Sequence, residues 1–263
     1  MADSAPRFSS RFTFLISALG IAIGTGNIWR FPRIVATNGG ENGAGSFLVA
    51  WIMFLFLWSI PLIIAEYVLG RQSRKGTVGA FAHFMGKPFA FLGGFVGFVS
   101  TAIAFYYSVV VGWNIYYFGS MTFNALPNTT ETSWAIWNNF QNGSFPILFH
   151  AIAMSVGGFA IYRGVSSIEK VNRILIPTLL VIVLLSVIRA LMLPGSMAGI
   201  SYLFTPDWAQ LKEPRIWLEA LTQNAWDTGA GWGLFLTYAI YVKKRYGVIK
   251  NAFTVAIGNN LVS

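Results

Sequence analysis

The sequence predicts an all-α polytopic membrane protein, and three observations carry that prediction. Of 263 residues, 55% are hydrophobic and only 10% are charged, whereas a soluble domain carries roughly a quarter charged residues. Seven stretches are apolar over lengths that suit a hydrocarbon core of about 30 Å: about 12–33, 46–70, 89–121, 146–162, 168–193, 215–242 and 249 to the end. Glycine (27 residues) and aromatics (23 Phe, 10 Trp, 10 Tyr) are abundant, as close-packed transmembrane helices favour. This composition excludes disorder, collagen, a secreted disulfide scaffold and a nucleic-acid module. The net charge of +9 then needs another origin.

Taken in order, the spans explain it. Arg7 and Arg11 precede the first, residues 34–45 carry no basic residue, and Arg71, Arg74, Lys75 and Lys87 follow the second. The third is long enough to tilt, and the loop after it is again free of Lys and Arg. The fourth is near the lower length limit and is followed by Arg163, Lys170 and Arg173; Lys243, Lys244, Arg245 and Lys250 follow the sixth. Positive-inside counting places the N-terminus in the cytoplasm and the 122–145 loop, with its sequons at Asn128 and Asn142, outside. The charge is a topology signal and calls for no nucleic-acid partner. The apolar stretch from Phe12 runs past Pro32 without a small-residue cleavage site, so it reads as a span. No Cys is present, which excludes disulfides and thiolate chemistry, and His83 and His150 are too far apart in sequence to form a zinc cluster unaided.

The first and sixth spans are poor helices. Gly20, Gly24 and Gly26 fall within seven residues and are followed by Asn27; Gly229, Gly231 and Gly233 follow Asp227. Glycine weakens a helix by about 1 kcal/mol relative to Ala, and a midspan carboxylate costs several kcal/mol unless it is paired or lines water. Close helix packing accounts for the glycines but leaves Asn27 and Asp227 unexplained. Two helices interrupted at corresponding places point to a secondary transporter with its site at the bilayer midplane.

The runs Gly24 to Pro32 (GTGNIWRFP), Asn38 to Gly40, Gly43 to Phe47, and Ile60 to Arg71 (IPLIIAEYVLGR) resemble the neurotransmitter:sodium symporter family in its bacterial amino-acid-transporting branch. Tyr106 and Tyr107, Ile168 to Lys170, Thr205 to Asp207, Thr237 to Tyr241, and Gly258 with Asn259 extend the resemblance along the chain. It implies the leucine-transporter-type inverted-repeat fold, in which members have about twelve spans built on two five-helix repeats of opposite orientation. On that pattern, 1–263 is one transmembrane domain: a first repeat at about 12–193 and the start of a second at about 215–263, truncated within the seventh helix. The expectation is a fragment of a sodium-coupled symporter that works by alternating access, catalyses no reaction and sits in the cell membrane as a multi-pass protein. Its partners are sodium, an amino acid and the lipid bilayer, with the oligomeric state left open. The alternative is a truncated, non-transporting relic or subunit.

Residue by residue, the resemblance implies a first sodium held by the Ala22 carbonyl, Asn27, Asp227 and Asn259, completed by the substrate carboxylate. A second sodium takes the Gly20 and Ile23 carbonyls, its other ligands lying beyond this sequence. The substrate carboxylate meets the backbone at Thr25 and Gly26 and the Tyr107 hydroxyl. Its side chain lies among Ile103, Trp226, Gly229 and Trp232, which suits a small apolar or aromatic amino acid. Gly24 stands where monoamine carriers have Asp, so the substrate should bring its own carboxylate. Arg30 and Trp226 serve as an outer gate, Arg30 pairing with an acid beyond this sequence, and Tyr241 serves as an inner gate. Arg7, Phe8 and Arg11 resemble an N-terminal latch whose family Arg aligns nearer Ala5. Glu66 is the buried acid near the first helix; Arg71, Lys243 and their neighbours read as interfacial anchors. In the family's chloride cluster, Gln223, Asn259 and Ser263 are retained, Trp51 replaces a Tyr, and Asp227 stands where chloride-dependent members have Ser. A fixed charge there implies chloride independence, and proton return on Asp227 is left open.

Overall fold

The computed structural model describes residues 7–24, 26–243 and 245–263, which form helices and their connections with no strand among them. Ser10 caps α1 (Arg11–Ala22) in a reciprocal box with Thr13. A π-helical turn at Gly26–Arg30 then leads into α2 (Phe31–Asn38), with Pro32 in its first turn, where a missing N–H costs least. The two halves of this first span are inclined at 47°.

The second span runs from α3 (Gly45–Phe54) through a π turn at Leu55–Ser59 into α4 (Ile60–Ser73). Pro61 explains the turn: its ring has no N–H for the carbonyl four residues back and collides with it, so the helix widens. The widened turn aims Ser59 at the sixth span, where it meets Asn224 and the Thr228 hydroxyl at 3.0 Å.

After α5 (Thr77–Met85) come α6 (Ala90–Phe123), α7 (Thr130–Gln141), α8 (Phe145–Ile161), α9 (Val165–Leu191) and α10 (Ser196–Phe204). α11 (Pro214–Thr228) and α12 (Leu234–Ala239) are the halves of the sixth span, and α13 (Val248–Val262) closes the described chain. By length and composition, three helices among the described residues can cross a membrane, or five if each bent pair is one span. The sequence marks seven. The sixth falls short because its glycines divide it into pieces of 15 and 6 residues, and the 15-residue α13 is short of a crossing.

Two apolar clusters lie on either side of the breaks. Phe8, Phe14, Ile63, Tyr67, Phe235 and Val255 unite α1, α4, α12 and α13. Phe31, Val35, Phe47, Trp51, Ile216 and Ala220 unite α2, α3 and α11. The interrupted backbone of both broken spans therefore lies in a layer between two packed ends. Elsewhere the apolar surface faces outward: only 6% of the most apolar window of α6, and of α9, is buried, so these faces need an apolar solvent. The connections hold helices that the hydropathy pattern does not mark, namely α5, α7 and α10.

Candidate functional site

Each break leaves backbone polar groups that a membrane cannot solvate, and polar side chains from the break itself or from neighbouring elements take them up. At the first, Ile23 is extended (φ −77°, ψ 117°), and the Gly24 N–H donates to Asn27 Oδ1 at 2.9 Å. Asn27 is 1% exposed. Its Nδ2 donates to Asn259 Oδ1 at 2.9 Å and to Ser263 Oγ at 2.7 Å, which joins α13 to the break. At the second, Gly229, Gly231 and Gly233 have φ of +62°, +91° and +75°, a region that side chains disfavour. The freed N–H groups of Gly231 and Leu236 donate to the two carboxylate oxygens of Glu66 at 2.6 and 3.0 Å. Glu66, expected beside the first helix, thus spends its hydrogen bonds on the sixth span. The Trp232 carbonyl accepts from Ser100.

Asp227 lies where the breaks meet. It is 2% exposed. Gln223, one turn back on α11, donates from Nε2 to Asp227 Oδ1 at 2.6 Å and to the Gly26 carbonyl at 3.3 Å, and its Oε1 accepts from Arg30. Asp227 Oδ2 is buried without a hydrogen-bond partner among the described residues. An ionised oxygen in that position is costly until a cation or a donor meets it.

Beside it is a cavity of about 280 Å³. Gly20 to Gly24 and Gly26 form one wall, Ser100, Ile103, Ala104 and Tyr107 of α6 a second, and Trp226, Asp227, Trp232 and Leu234 the third. The two indoles meet edge to face, 5.4 Å apart at 76°. Six of the expected contact residues border this space: Ala22, Gly26, Ile103, Tyr107, Trp226 and Trp232. Gly20 and Ile23 border it too. Gly229 sits outside the lining as the C-cap of α11, where an added Cβ would lie 3.6 Å from Ile21 and 4.0 Å from Trp232. Thr25 lies outside the described residues, as do Ala5 and Lys244. Ile21, Ser100, Ala104 and Leu234 were not anticipated. For the α6 pair a signal exists, because 100, 103, 104 and 107 share one helical face.

Around the cluster, the Trp51 ring lies tilted at 43° against Phe31, centroids 4.5 Å apart, and its carbonyl accepts from Asn224 at 2.7 Å; its Nε1 is buried without a partner among the described residues. Arg30 reaches Gln223 and comes to 4.0 Å from Glu219, so within this chain it has an acid on α11. At the other end, the N-terminal segment is fastened down. Phe8 is buried against Phe14 and Tyr238 and donates its N–H to the Tyr241 carbonyl at 3.2 Å. Glu169 Oε1 accepts from the Ser9 N–H (2.7 Å), the Ser9 hydroxyl (3.1 Å) and the Thr13 hydroxyl (2.6 Å). Arg11 donates to Asn251 at 2.9 Å. The expected interfacial anchors do more than anchor: Lys243 donates to the Ser9 carbonyl, Arg71 to that of Tyr246, and Arg74 to those of Ile240 and Val242. The two arginines cap carbonyls just past the end of α12, and Lys243 ties that end to the N-terminal segment.

Two broken helices flanking a mostly apolar cavity that ends at a buried carboxylate place the molecule among helical membrane transporters. The model of the sodium:neurotransmitter symporter family matches residues 5–145 and 142–263, and the chain belongs to that family. An uncharacterised sodium-dependent transporter of Methanocaldococcus jannaschii is 32% identical over 263 residues, covering 96% of this chain and 52% of its own length. The mouse sodium-dependent neutral amino acid transporter B(0)AT3 is 28% identical over 296 residues, covering 99% and 46%. The crystal structure of MhsT in complex with L-phenylalanine superposes with a TM-score of 0.84 at 31% identity, over 98% of this chain and 59% of that one. The chain therefore spans about half the length of the relatives it matches, in their leucine-transporter-type fold.

Proposed function

We propose that this chain forms the sodium- and substrate-binding half of a sodium-coupled symporter for a small apolar or aromatic amino acid. The observation that carries the reading is the cavity between the two breaks, apolar along most of its wall and ending at a buried carboxylate oxygen with no partner among the described residues. Sodium is a hard cation that takes oxygen ligands. On this reading the Ala22 carbonyl, Asn27, Asp227 and Asn259 hold it as co-substrate, and Gly20 and Ile23 offer carbonyls for a second ion. When sodium arrives, Asn27 Oδ1 exchanges the Gly24 N–H for the ion, and that N–H is released toward the cavity.

Room for a substrate carboxylate comes from glycine. A Cβ at Gly24 would sit 3.3 Å from the Tyr107 hydroxyl, and one at Gly26 would sit 2.6 Å from Asp227 Oδ1. A carboxylate entering there gains backbone N–H groups, the Tyr107 hydroxyl and the bound sodium, while Trp226, Trp232 and Ile103 take an apolar side chain. Named relatives support the choice, since one carries neutral amino acids and one is seen with L-phenylalanine. Arg30 and Trp226 close the outer side, and the Phe8–Tyr241 contact closes the inner side. Asp227 supplies the negative charge that chloride supplies elsewhere in the family, so transport is chloride-independent. The test is equilibrium binding of L-leucine and L-phenylalanine to the complete protein in sodium or potassium chloride. Binding that requires sodium is expected, and equal affinity in both salts overturns the reading.

A further inference from the structure

The break in the sixth span is tied to the third at one point. Ser100, on α6, has its hydroxyl in donor reach of the Val96 carbonyl at 3.0 Å and of the Trp232 carbonyl. Trp232 lies between Gly231 and Gly233, both at positive φ, so its carbonyl has left the helical ladder. Apolar surroundings make such a carbonyl costly until a donor meets it. Gly233 packs into the angle between that turn of α6 and the start of α5: an added Cβ there would lie 2.8 Å from Val96 Cγ1 and 2.6 Å from Thr77 Cγ2. Ser100 itself lines the cavity, and so does the Trp232 indole.

We infer that Ser100 is a positioning residue for substrate size: by holding the Trp232 carbonyl, it sets how far the indole wall stands into the cavity. The inference rests on the amino-acid reading above and deepens it. Trp232 is flanked by glycines and has little backbone stiffness of its own, so its depth in the pocket depends on what it is fastened to. The edge-to-face contact with Trp226 orients the ring, and the Ser100 bond fixes the backbone that carries it. Without the bond the wall can recede, and side chains too bulky for the native cavity gain room.

The test is binding of glycine, L-alanine, L-leucine, L-phenylalanine and L-tryptophan to the complete protein in sodium, for wild type, Ser100→Ala, Ser100→Thr, Trp232→Ala and the Ser100→Ala/Trp232→Ala double variant. Loss of one hydrogen bond corresponds to about a fivefold effect, so Ser100→Ala should raise the tryptophan-to-alanine affinity ratio about fivefold. Ser100→Thr, which keeps the hydroxyl, should leave that ratio near wild type. Adding Ser100→Ala to Trp232→Ala should change the ratio no further, because the two act as a unit. If Ser100→Ala cannot be recovered folded, Ser100→Cys, a much weaker donor, should shift the ratio the same way. A uniform loss of affinity for all five amino acids, or equal ratio shifts in the presence and absence of Trp232, overturns the inference. Failure of the wild type to bind any of the five overturns the amino-acid reading instead.

Discussion

At the scale of single residues, the site depends on what is absent at position 26. A Cβ at Gly26 would lie 2.6 Å from Asp227 Oδ1 and 3.1 Å from the Trp226 indole, so Gly26→Leu should abolish amino-acid binding, while size-exclusion chromatography still shows folded protein. Binding at unaltered affinity would put the substrate elsewhere. Asp227 makes a different prediction. If its charge replaces an anion, Asp227→Ser should transport in chloride and fail in gluconate, while wild type works equally in both. Equal loss in both anions would show that Asp227 acts as a ligand only. These residues were legible because glycine, Asn and Asp are conspicuous inside apolar spans. The bond of Ser100 to Trp232 was not, because helical spacing puts Ser100 on the face of Ile103 and Tyr107 but says nothing of a partner 132 residues away. Glu169 stands in sequence only as the middle of Ile168–Lys170, and the Ser9 and Thr13 donors it serves lie at the far end of the chain.

At the scale of elements, interruption is stabilised by borrowed hydrogen bonds. Glu66 on α4 gives one oxygen to Gly231 and the other to Leu236, so it acts as a remote N-cap for α12. Glu66→Gln keeps one acceptor and turns an amide donor toward an N–H. A cost of about 1–3 kcal/mol follows from an unsatisfied buried donor, read as a lowered thermal midpoint in detergent; an unchanged midpoint would mean that the break holds without this cap. Both broken spans were legible from glycine placement, and their observed ends at Ala22 and Thr228 fall beside those glycines. α7 was missed because TETSWAIWNNFQ is too polar to register as a span, although its Thr129 and Thr132 capping box is itself a helix signal. The sixth-span partners of Glu66 were not legible, because the pairing of α4 with α12 is tertiary and leaves no local mark.

At the scale of the whole molecule, two apolar clusters flank an interrupted layer, and the cavity, Asp227 and both breaks fall within that layer. One end is fastened by the Phe8–Tyr241 and Ser9–Glu169 bonds, and on the cavity's far side Arg30 bridges to Gln223 and approaches Glu219. On the proposed reading, alternating access in the complete protein opens these two sets of contacts in turn, with sodium deciding whether the central layer is filled. The most direct measurement is uptake of radiolabelled L-leucine and L-phenylalanine by the complete protein in proteoliposomes, with and without an inward sodium gradient. The account predicts concentrative uptake that requires the gradient and collapses when sodium is replaced by potassium. Uptake that proceeds equally without sodium would contradict it.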